Sequence, residues 1–223
     1  MTMYFEIQCK AFLFDLDATL VDSTICIENI WRRWSIIHGQ SFEDTLKASH
    51  GSTIINTLNT ISPKFATEQC CMEVQDIAIQ EMRNAKEIKG AAKLLEKIYS
   101  EPWAVVTSSN RAIAIAQLAH AGLPEPPVLI AAEDVVHAKP HPEPYLIAAN
   151  LLNVTISDCL IFEDSPIGIK SGLDSGAKVV VVSPHCLKIT IDEISGTIGD
   201  FENVTVKARY IEQNYLVTLP FSS

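Results

Sequence analysis

Two aspartates separated by one residue, Asp15 and Asp17, directly follow the first short apolar run of the chain. Two further acidic residues, Glu163 and Asp164, follow a later run of the same kind. Two like charges about 4 Å apart repel by about 4 kcal/mol at an effective dielectric constant near 20. A fold that brings these carboxylates together therefore needs either protonation or a divalent cation, and several hard oxygen ligands suit Mg²⁺.

A cation among these carboxylates would also allow one of them to attack phosphorus, because positive charge reduces the repulsion between two anions. Lys139, which precedes Pro140 and a predicted helix start at Pro142 and Glu143, offers a second positive charge at a fixed position. Formation of an aspartyl phosphate is an established covalent route. A neighbouring aspartate can protonate the leaving alcohol and later deprotonate water. These residues therefore predict metal-dependent phosphoryl transfer.

The elements that must position these residues are predicted from apolar runs and helical periodicity. Runs typical of buried strands cover residues 11–16, 103–107, 159–162 and 178–182, with a weaker one at 127–131. Helical patterns lie between them, as in the i, i+3, i+4, i+7 spacing of apolar residues from Ala91 to Ile98. This alternation predicts a parallel sheet with helices on both faces, a Rossmann-like α/β core. Ligands of such sheets bind beyond the carboxyl ends of the strands, where the acidic residues lie.

The segment between residues 21 and 88 breaks this alternation, because no convincing strand is found in it. Apolar residues at helical spacing predict one helix around residues 27–37 and another around residues 66–78. Glycine, serine and proline at residues 39, 49–52 and 62–63 separate the helices. We therefore predict an α/β catalytic core formed by residues 1–20 and 89–223, with an all-helical cap domain at residues 21–88. The end of the chain, residues 210–219, is compatible with either an edge strand or a helix.

The composition predicts a cytoplasmic protein without nucleic-acid or membrane partners. The formal net charge of the 223-residue chain is −10, which disfavours binding to a phosphate backbone. No apolar run approaches the roughly 18 residues of a membrane span, and residues 1–10 lack the apolar stretch of a signal peptide. The six cysteines show no zinc-binding spacing. We expect a monomer or a weak homo-oligomer.

Four segments of the chain resemble, in order, the four motifs of the haloacid dehalogenase (HAD) superfamily: FDLDATLVDS, VVTSSN, AKPHPEPY and FEDSPIGIKSGLDSGA. The resemblance spans most of the chain. The groups that it resembles most are the sugar-phosphate phosphatases of the 2-deoxyglucose-6-phosphatase type and the β-phosphoglucomutase-like enzymes, which carry a helical cap between their first and second motifs. The resemblance implies a hydrolase with Mg²⁺ as its cofactor.

The resemblance also implies a role for each charged motif residue. Asp15 corresponds to the nucleophile, which is also a metal ligand, and Asp17 to the general acid/base, whose backbone carbonyl binds the metal. Lys139 corresponds to the lysine that orients the nucleophile and the phosphate. Asp164 corresponds to a carboxylate that holds Mg²⁺, and Glu163 either binds the metal, directly or through water, or supports its ligands.

Uncharged residues complete the predicted site. Thr107 and Ser108 correspond to the phosphate-binding motif. His50 and Gly51, in a break between cap helices, are the expected specificity element, since a glycine lets such a loop approach the mouth of the site and related caps contact the sugar there. Ala18 departs from the family pattern, which usually has glycine at this position. We expect a negative φ at Ala18 and a slightly more crowded site.

Two tryptophans of the predicted cap and a Ser-Pro pair in the fourth motif are predicted to have structural roles. Trp31 and Trp34 lie on the apolar stripe of their predicted helix, and we expect them in the core. Ser165 and Pro166 are predicted to begin a helix, as its N-cap and its first residue.

Taken together, these residues and the resemblance predict a Mg²⁺-dependent phosphatase that acts on a small sugar or polyol phosphate through an aspartyl-phosphate intermediate. A cap that closes over the site limits substrate size and excludes bulk water. Two alternatives stay open. A mutase of the β-phosphoglucomutase type keeps the same four motifs and returns the phosphoryl group to a sugar. A catalytically silent interaction module built on the same fold would have no need of a mutually repelling carboxylate cluster, which argues against it.

Overall fold

The computed structural model of the chain describes residues 4–182, 193–209 and 214–220. Its strands are β1 (Tyr4–Cys9), β2 (Ala11–Phe14), β3 (Val21–Asp22), β4 (Lys86–Glu87), β5 (Trp103–Val106), β6 (Val128–Ile130), β7 (Cys159–Glu163), β8 (Lys178–Val182), β9 (Gly196–Ile198), β10 (Thr205–Arg209) and β11 (Asn214–Pro220). Its α-helices are α1 (Thr24–His38), α2 (Phe42–Ser49), α3 (Ile54–Ile61), α4 (Glu68–Glu81), α5 (Ala91–Lys97), α6 (Arg111–His120), α7 (Glu143–Leu151) and α8 (Pro166–Ser175). Among the described residues, no helix is long and apolar enough to cross a membrane.

Six parallel strands form the main sheet, in the order β6-β5-β2-β7-β8-β9. All five strands predicted from apolar runs are present, and the predicted α/β fold class is confirmed. Strand β2 lies at the centre, between β5 and β7, and all four of its residues are buried, which explains why its sequence is uniformly apolar. Because the strands are parallel, the carboxyl ends of β2, β5 and β7 meet at one edge of the sheet.

The chain leaves this sheet after β2 and returns to it after α1–α4. The two-residue strands β3 and β4 pair antiparallel, Val21 with Glu87 and Asp22 with Lys86. They place the outgoing and returning segments side by side. The expectation that residues 21–88 contain no strand missed this pair, because two residues are too few to show a periodicity.

Side-chain caps explain where the short helices of this insertion begin. The hydroxyl oxygens of Ser41, Thr53 and Thr67 each accept a hydrogen bond from the backbone N–H three residues further on, at the starts of α2, α3 and α4. Helix α1 packs against α4. Trp31 and Trp34 are buried on α1 as predicted.

A second, three-stranded antiparallel sheet has the order β1-β11-β10 and was not predicted. Strand β11, which the sequence left open between an edge strand and a helix, is its central strand. Fully buried Val217 pairs with Ile7 on one side and with Val206 on the other. Residues 210–213, where the open segment begins, lie outside the described residues. This pairing joins the two ends of the chain, and local sequence patterns contain no information about it.

Candidate active site

The carboxyl ends of β2, β5 and β7 open into a cavity of about 550 Å³ that lies under the inserted helices. The predicted site residues that line it are Asp15, Asp17, His50, Gly51, Ser108, Lys139 and Asp164. The other two, Thr107 and Glu163, are buried behind its wall. The structure therefore brings together residues from all four motifs and from the loop between α2 and α3.

Lys139 lies at the centre of a buried ion network. Its ammonium group donates to Asp15 Oδ1 and Glu163 Oε1, both at 2.7 Å, and to the carbonyl of Val106 at 3.0 Å. Burial acts to lower the pKa of Lys139, but the Asp15 and Glu163 carboxylates outweigh it and raise that pKa well above its ordinary value. The three bonds use all three ammonium protons, so Lys139 is placed to orient Asp15. A contact between Lys139 and phosphate would have to replace one of these bonds.

Glu163 is completely buried, and both of its carboxylate oxygens are occupied. Oε1 accepts from Lys139 and also from the Tyr145 hydroxyl at 3.0 Å. Oε2 accepts from the backbone N–H groups of Asp164 and Ser165, at 2.9 and 3.0 Å. Because donors take both oxygens, this geometry favours the second predicted role, in which Glu163 supports Lys139 and the loop that carries Asp164.

Helix α8 leaves room for the Glu163 carboxylate because residue 168 is glycine. A Cβ at Gly168 would lie 1.6 Å from Glu163 Oε1, so any larger residue would displace that carboxylate. The helix begins as predicted: the Ser165 hydroxyl accepts from the Gly168 N–H at 3.0 Å, and Pro166 is the first helical residue. The start of α8 thus fixes one wall of the ion network.

Asp15 and Asp164 present oxygens in an arrangement that fits a divalent metal ion. Ligand oxygens of Asp15, Glu163 and Asp164 lie within 4.8 Å of one another. Asp15 Oδ1 accepts from Lys139, and Asp164 Oδ1 from the Thr19 hydroxyl at 3.4 Å, whereas Oδ2 of either aspartate has no hydrogen-bond partner in the described part of the chain. Burial, and then the charge of Glu163, raises the pKa of Asp164 to about 7 and that of Asp15 well above its ordinary value. A divalent cation would oppose both shifts, so this donor set fits the predicted Mg²⁺.

The Asp17 carboxylate is held by three side chains to which the sequence analysis assigned no role. Oδ1 accepts from the Ser23 hydroxyl at 2.6 Å and from the Gln117 amide at 2.7 Å, and Oδ2 accepts from the Ser109 hydroxyl at 3.1 Å. Gln117 is fully buried in α6. A lone amide within the apolar stretch of that helix was the available sequence signal. Together the three donors fix the orientation of Asp17 in the cavity.

Ala18 has a φ of +57°, which contradicts the expected negative value. The turn between β2 and β3 imposes this conformation, since the Ala18 N–H donates to the carbonyl of Val21 at 2.7 Å. The left-handed region favours glycine, and alanine adopts it at an energy of about 1–2 kcal/mol. The alanine therefore keeps the backbone that a glycine would have, with local strain.

The loop between α2 and α3 touches the second motif. The Ser108 hydroxyl donates to the carbonyl of Gly51 at 3.0 Å. Gly51 has a φ of +69°, and a Cβ there would press against side chains of the fourth motif. Thr107 lies behind the cavity wall, and its Oγ1 accepts from the Ser109 N–H at 3.0 Å, which fixes the turn that follows β5. His50 is exposed at the cavity.

Comparisons with known proteins agree with this architecture. Residues 12–182 match the family model of the haloacid dehalogenase-like hydrolases. Hexitol phosphatase A of Escherichia coli (strain K12) is 35% identical over 204 residues, which cover 89% of this chain and 94% of that protein. Glycerol-1-phosphate phosphohydrolase 2 of Saccharomyces cerevisiae is 29% identical, with 95% and 93% covered. Among solved structures, β-phosphoglucomutase from Clostridium difficile superposes with a TM-score of 0.74 at 21% identity, over 87% of this chain and 92% of that one, a likeness of fold.

Proposed function

The chain belongs to the haloacid dehalogenase-like hydrolases, and we propose that it removes the phosphoryl group from a small sugar or polyol phosphate through an aspartyl phosphate. The observation that carries this proposal is the ion network, in which buried Lys139 holds the Asp15 carboxylate. Asp15 lines the same cavity as Asp17 and Asp164. Relatives similar over nearly their whole length are named as phosphatases of hexitols and of glycerol 1-phosphate, which supports a polyol as the leaving group.

We propose Mg²⁺ as the cofactor, held by Asp15, Asp164 and the backbone carbonyl of Asp17. Hard carboxylate and carbonyl oxygens are the ligands that this ion prefers. When bound, the ion supplies positive charge that offsets the charge of the phosphate and of the transition state. The other functions of the site belong to the side chains.

In the first half-reaction, an oxygen of Asp15 attacks phosphorus while Asp17 gives a proton to the leaving oxygen. Lys139 keeps the Asp15 carboxylate oriented and screens its charge from the phosphate. In the second half-reaction, Asp17 takes a proton from the water that hydrolyses the aspartyl phosphate. The three hydrogen bonds to Asp17 hold it in one orientation for both transfers.

We assign phosphate binding to Thr107 and Ser108, and substrate selection to the segment of residues 21–88, which acts as a cap. The Ser108 bond to Gly51 supports this division, because it joins the phosphate-binding motif directly to the cap loop. A cap seated in this way excludes bulk water, so that water does not compete with the substrate during phosphoryl transfer.

Phosphate release from a panel of hexose, hexitol, pentose and glycerol phosphates tests the proposal. We expect turnover with Mg²⁺, loss of turnover in excess EDTA, and recovery when Mg²⁺ is added back. Full turnover in excess EDTA, or no release from any member of the panel, would contradict it. Analysis of the sugar products by NMR separates hydrolysis from a mutase reaction, which would yield an isomeric sugar phosphate instead of free phosphate.

A further inference from the structure

One side of helix α1 borders the cavity. Thr24, Ile27, Glu28 and Trp31, at i, i+3, i+4 and i+7, share this side of the helix and all line the cavity. The facing helix α4 and the turn after it contribute Val74, Ala78 and Met82. Among the residues between 21 and 88 that line the cavity, all of which the structure describes, Glu28 is the only carboxylate. A single acidic group thus interrupts a largely apolar wall.

Glu28 has no partner in the part of the chain that the structure describes. The described residues provide it with neither a hydrogen bond nor an ion pair, although two arginines are close to it along the chain. Arg33 donates to Glu81 and Gln80, and the guanidinium of Arg32 lies 3.9 Å from the centre of the Phe42 ring. The nearby positive charges therefore have contacts elsewhere, and Glu28 stays half-buried with no ion pair to a described residue.

The position of the Glu28 carboxylate is unfavourable unless a ligand supplies hydrogen-bond donors to it. A half-buried carboxylate without hydrogen-bond donors loses part of its hydration. It also adds negative charge to a cavity that already holds Asp15, Asp17 and Asp164 and that must admit a phosphate. A leaving group whose hydroxyls donate to Glu28 would replace the hydration that the carboxylate loses.

We propose that Glu28 is a specificity-determining residue, which accepts hydrogen bonds from hydroxyl groups of the leaving polyol at the cavity wall that α1 and α4 form. The inference rests on the proposed phosphatase function and names the side chain that selects the substrate. A carboxylate can accept from two neighbouring hydroxyls at once, which makes it a suitable partner for a polyol.

Neighbouring groups favour hydroxyls over an ammonium group as the ligand. Ser52 lines the same cavity, and its side chain has no hydrogen bond within the described residues. Its hydroxyl can both donate and accept a hydrogen bond. Hydroxyl groups of a polyol match such a mixed wall, whereas an ammonium group can use acceptors alone.

Matched esters test this assignment. Sorbitol 6-phosphate and n-hexyl phosphate have carbon chains of the same length and differ in their hydroxyls, so the ratio of their kcat/KM values measures hydroxyl recognition. We expect Glu28→Leu to lower this ratio about 10- to 100-fold, the loss typical of hydrogen bonds to a charged group. Glu28→Gln, which keeps the shape and one acceptor, should fall between Glu28→Leu and the wild type. Glu96→Gln, an exposed change outside the cavity, is the control.

The outcomes separate this inference from the function on which it rests. A wild-type protein that hydrolyses neither ester nor any sugar phosphate contradicts the proposed function. An active wild type whose ratio is unchanged in both Glu28 variants overturns the role of Glu28, and so does an equal loss on both esters. If glucosamine 6-phosphate is preferred over glucose 6-phosphate and Glu28→Leu abolishes that preference, the ligand of Glu28 is an ammonium group, and the hydroxyl assignment fails.

Discussion

The acidic edge of the main sheet differs from the cap wall, the part of the cavity lining that comes from residues between 21 and 88, in how its polar groups are satisfied. At the sheet edge, the three protons of Lys139 and both oxygens of Glu163 are engaged by other parts of the protein. On the cap wall, the side chains of Glu28 and Ser52 have no such partners among the described residues. A group already held in place cannot adapt to a ligand, whereas an unpaired group gains a partner only when the ligand binds. The sheet edge is therefore suited to fixed chemistry and the cap wall to selection.

The ion network at the sheet edge is better understood as a positioning device than as a source of stability. Buried ion pairs often contribute little net stability, because desolvation offsets the attraction between the charges. Fixed donors and charges do lower the barrier of a reaction, because they need not reorganise when charge moves. The effect of this network is that Lys139 holds the Asp15 carboxylate in one orientation.

The largest expected effect is the loss of catalysis at the sheet edge when either Asp15 or Asp17 is substituted. Asp15→Asn removes the nucleophile, so no phosphoenzyme should form. Asp17→Asn keeps the nucleophile but removes acid/base assistance, worth about 10²–10⁴-fold. p-Nitrophenyl phosphate needs little leaving-group protonation, so with this ester Asp17→Asn should accumulate a phosphorylated protein. Intact mass spectrometry of the protein quenched during turnover detects the added phosphoryl group.

Two results would contradict these roles. One is phosphorylation of the Asp15→Asn protein at the active site. The other is turnover of sorbitol 6-phosphate by Asp17→Asn at the wild-type rate.

Substitution of Gly168 should damage the sheet edge without altering a charged residue. In Gly168→Ala the added Cβ would overlap Glu163 Oε1, which must move and take Lys139 with it. A displacement of about 1 Å in a catalytic group can reduce turnover about 10²-fold, and overpacking typically destabilises by about 1–3 kcal/mol. Steady-state kinetics and thermal unfolding measure the two effects. Gly199→Ala, where an added Cβ has no described atom within 4 Å, is the control, and equal behaviour of the two variants would contradict the assignment.

The sheet edge was largely predictable from the sequence. Strand β2 is buried on both faces, so its sequence is a continuous apolar run that ends at Asp15. Parallel pairing then places the ends of β5 and β7 beside it, which explains why motif residues far apart in the chain were expected in one site. Trp31 and Trp34 of α1 and the start of α8 were predictable for a different reason, since the spacing of residues within one helix determines them.

The features that sequence reasoning missed depend on contacts between distant segments. The bond between Gln117 and Asp17 requires a helix and a turn that meet only in the folded chain. The pairing of β1 with β11 is equally non-local. At Ala18 the residue type suggested a negative φ, and the turn into β3 overrode that preference.

A smaller loss of activity is expected when Gln117 is substituted. This substitution tests whether Gln117 positions Asp17 or only stabilises the fold. Gln117 donates to Asp17, but its own Oε1 is buried without a partner among the described residues. In Gln117→Met an apolar side chain of similar length replaces the amide, so stability should stay within about 1 kcal/mol. With one donor lost, kcat/KM for sorbitol 6-phosphate should fall about tenfold, and less for p-nitrophenyl phosphate. Equal losses on both esters, or a large loss of stability, would indicate a structural role for Gln117.

The smallest expected effect compares two positive φ angles on the two sides of the cavity. On the cap side a glycine adopts this conformation, Gly51 with a φ of +69°, and on the sheet side an alanine does, Ala18 with a φ of +57°. Removing the Cβ in Ala18→Gly relieves the left-handed strain, while the added freedom of the unfolded chain opposes part of the gain. We expect the free energy of unfolding to rise by about 1 kcal/mol, or the melting temperature by about 2–4 °C.

Asn153→Gly is the matched control, since Asn153 has a φ of +56° outside the cavity and asparagine tolerates this region better than alanine. A gain at residue 18 that exceeds the gain at residue 153 would place the strain beside the ion network, whereas a loss at residue 18 would mean that the turn holds Ala18 without strain.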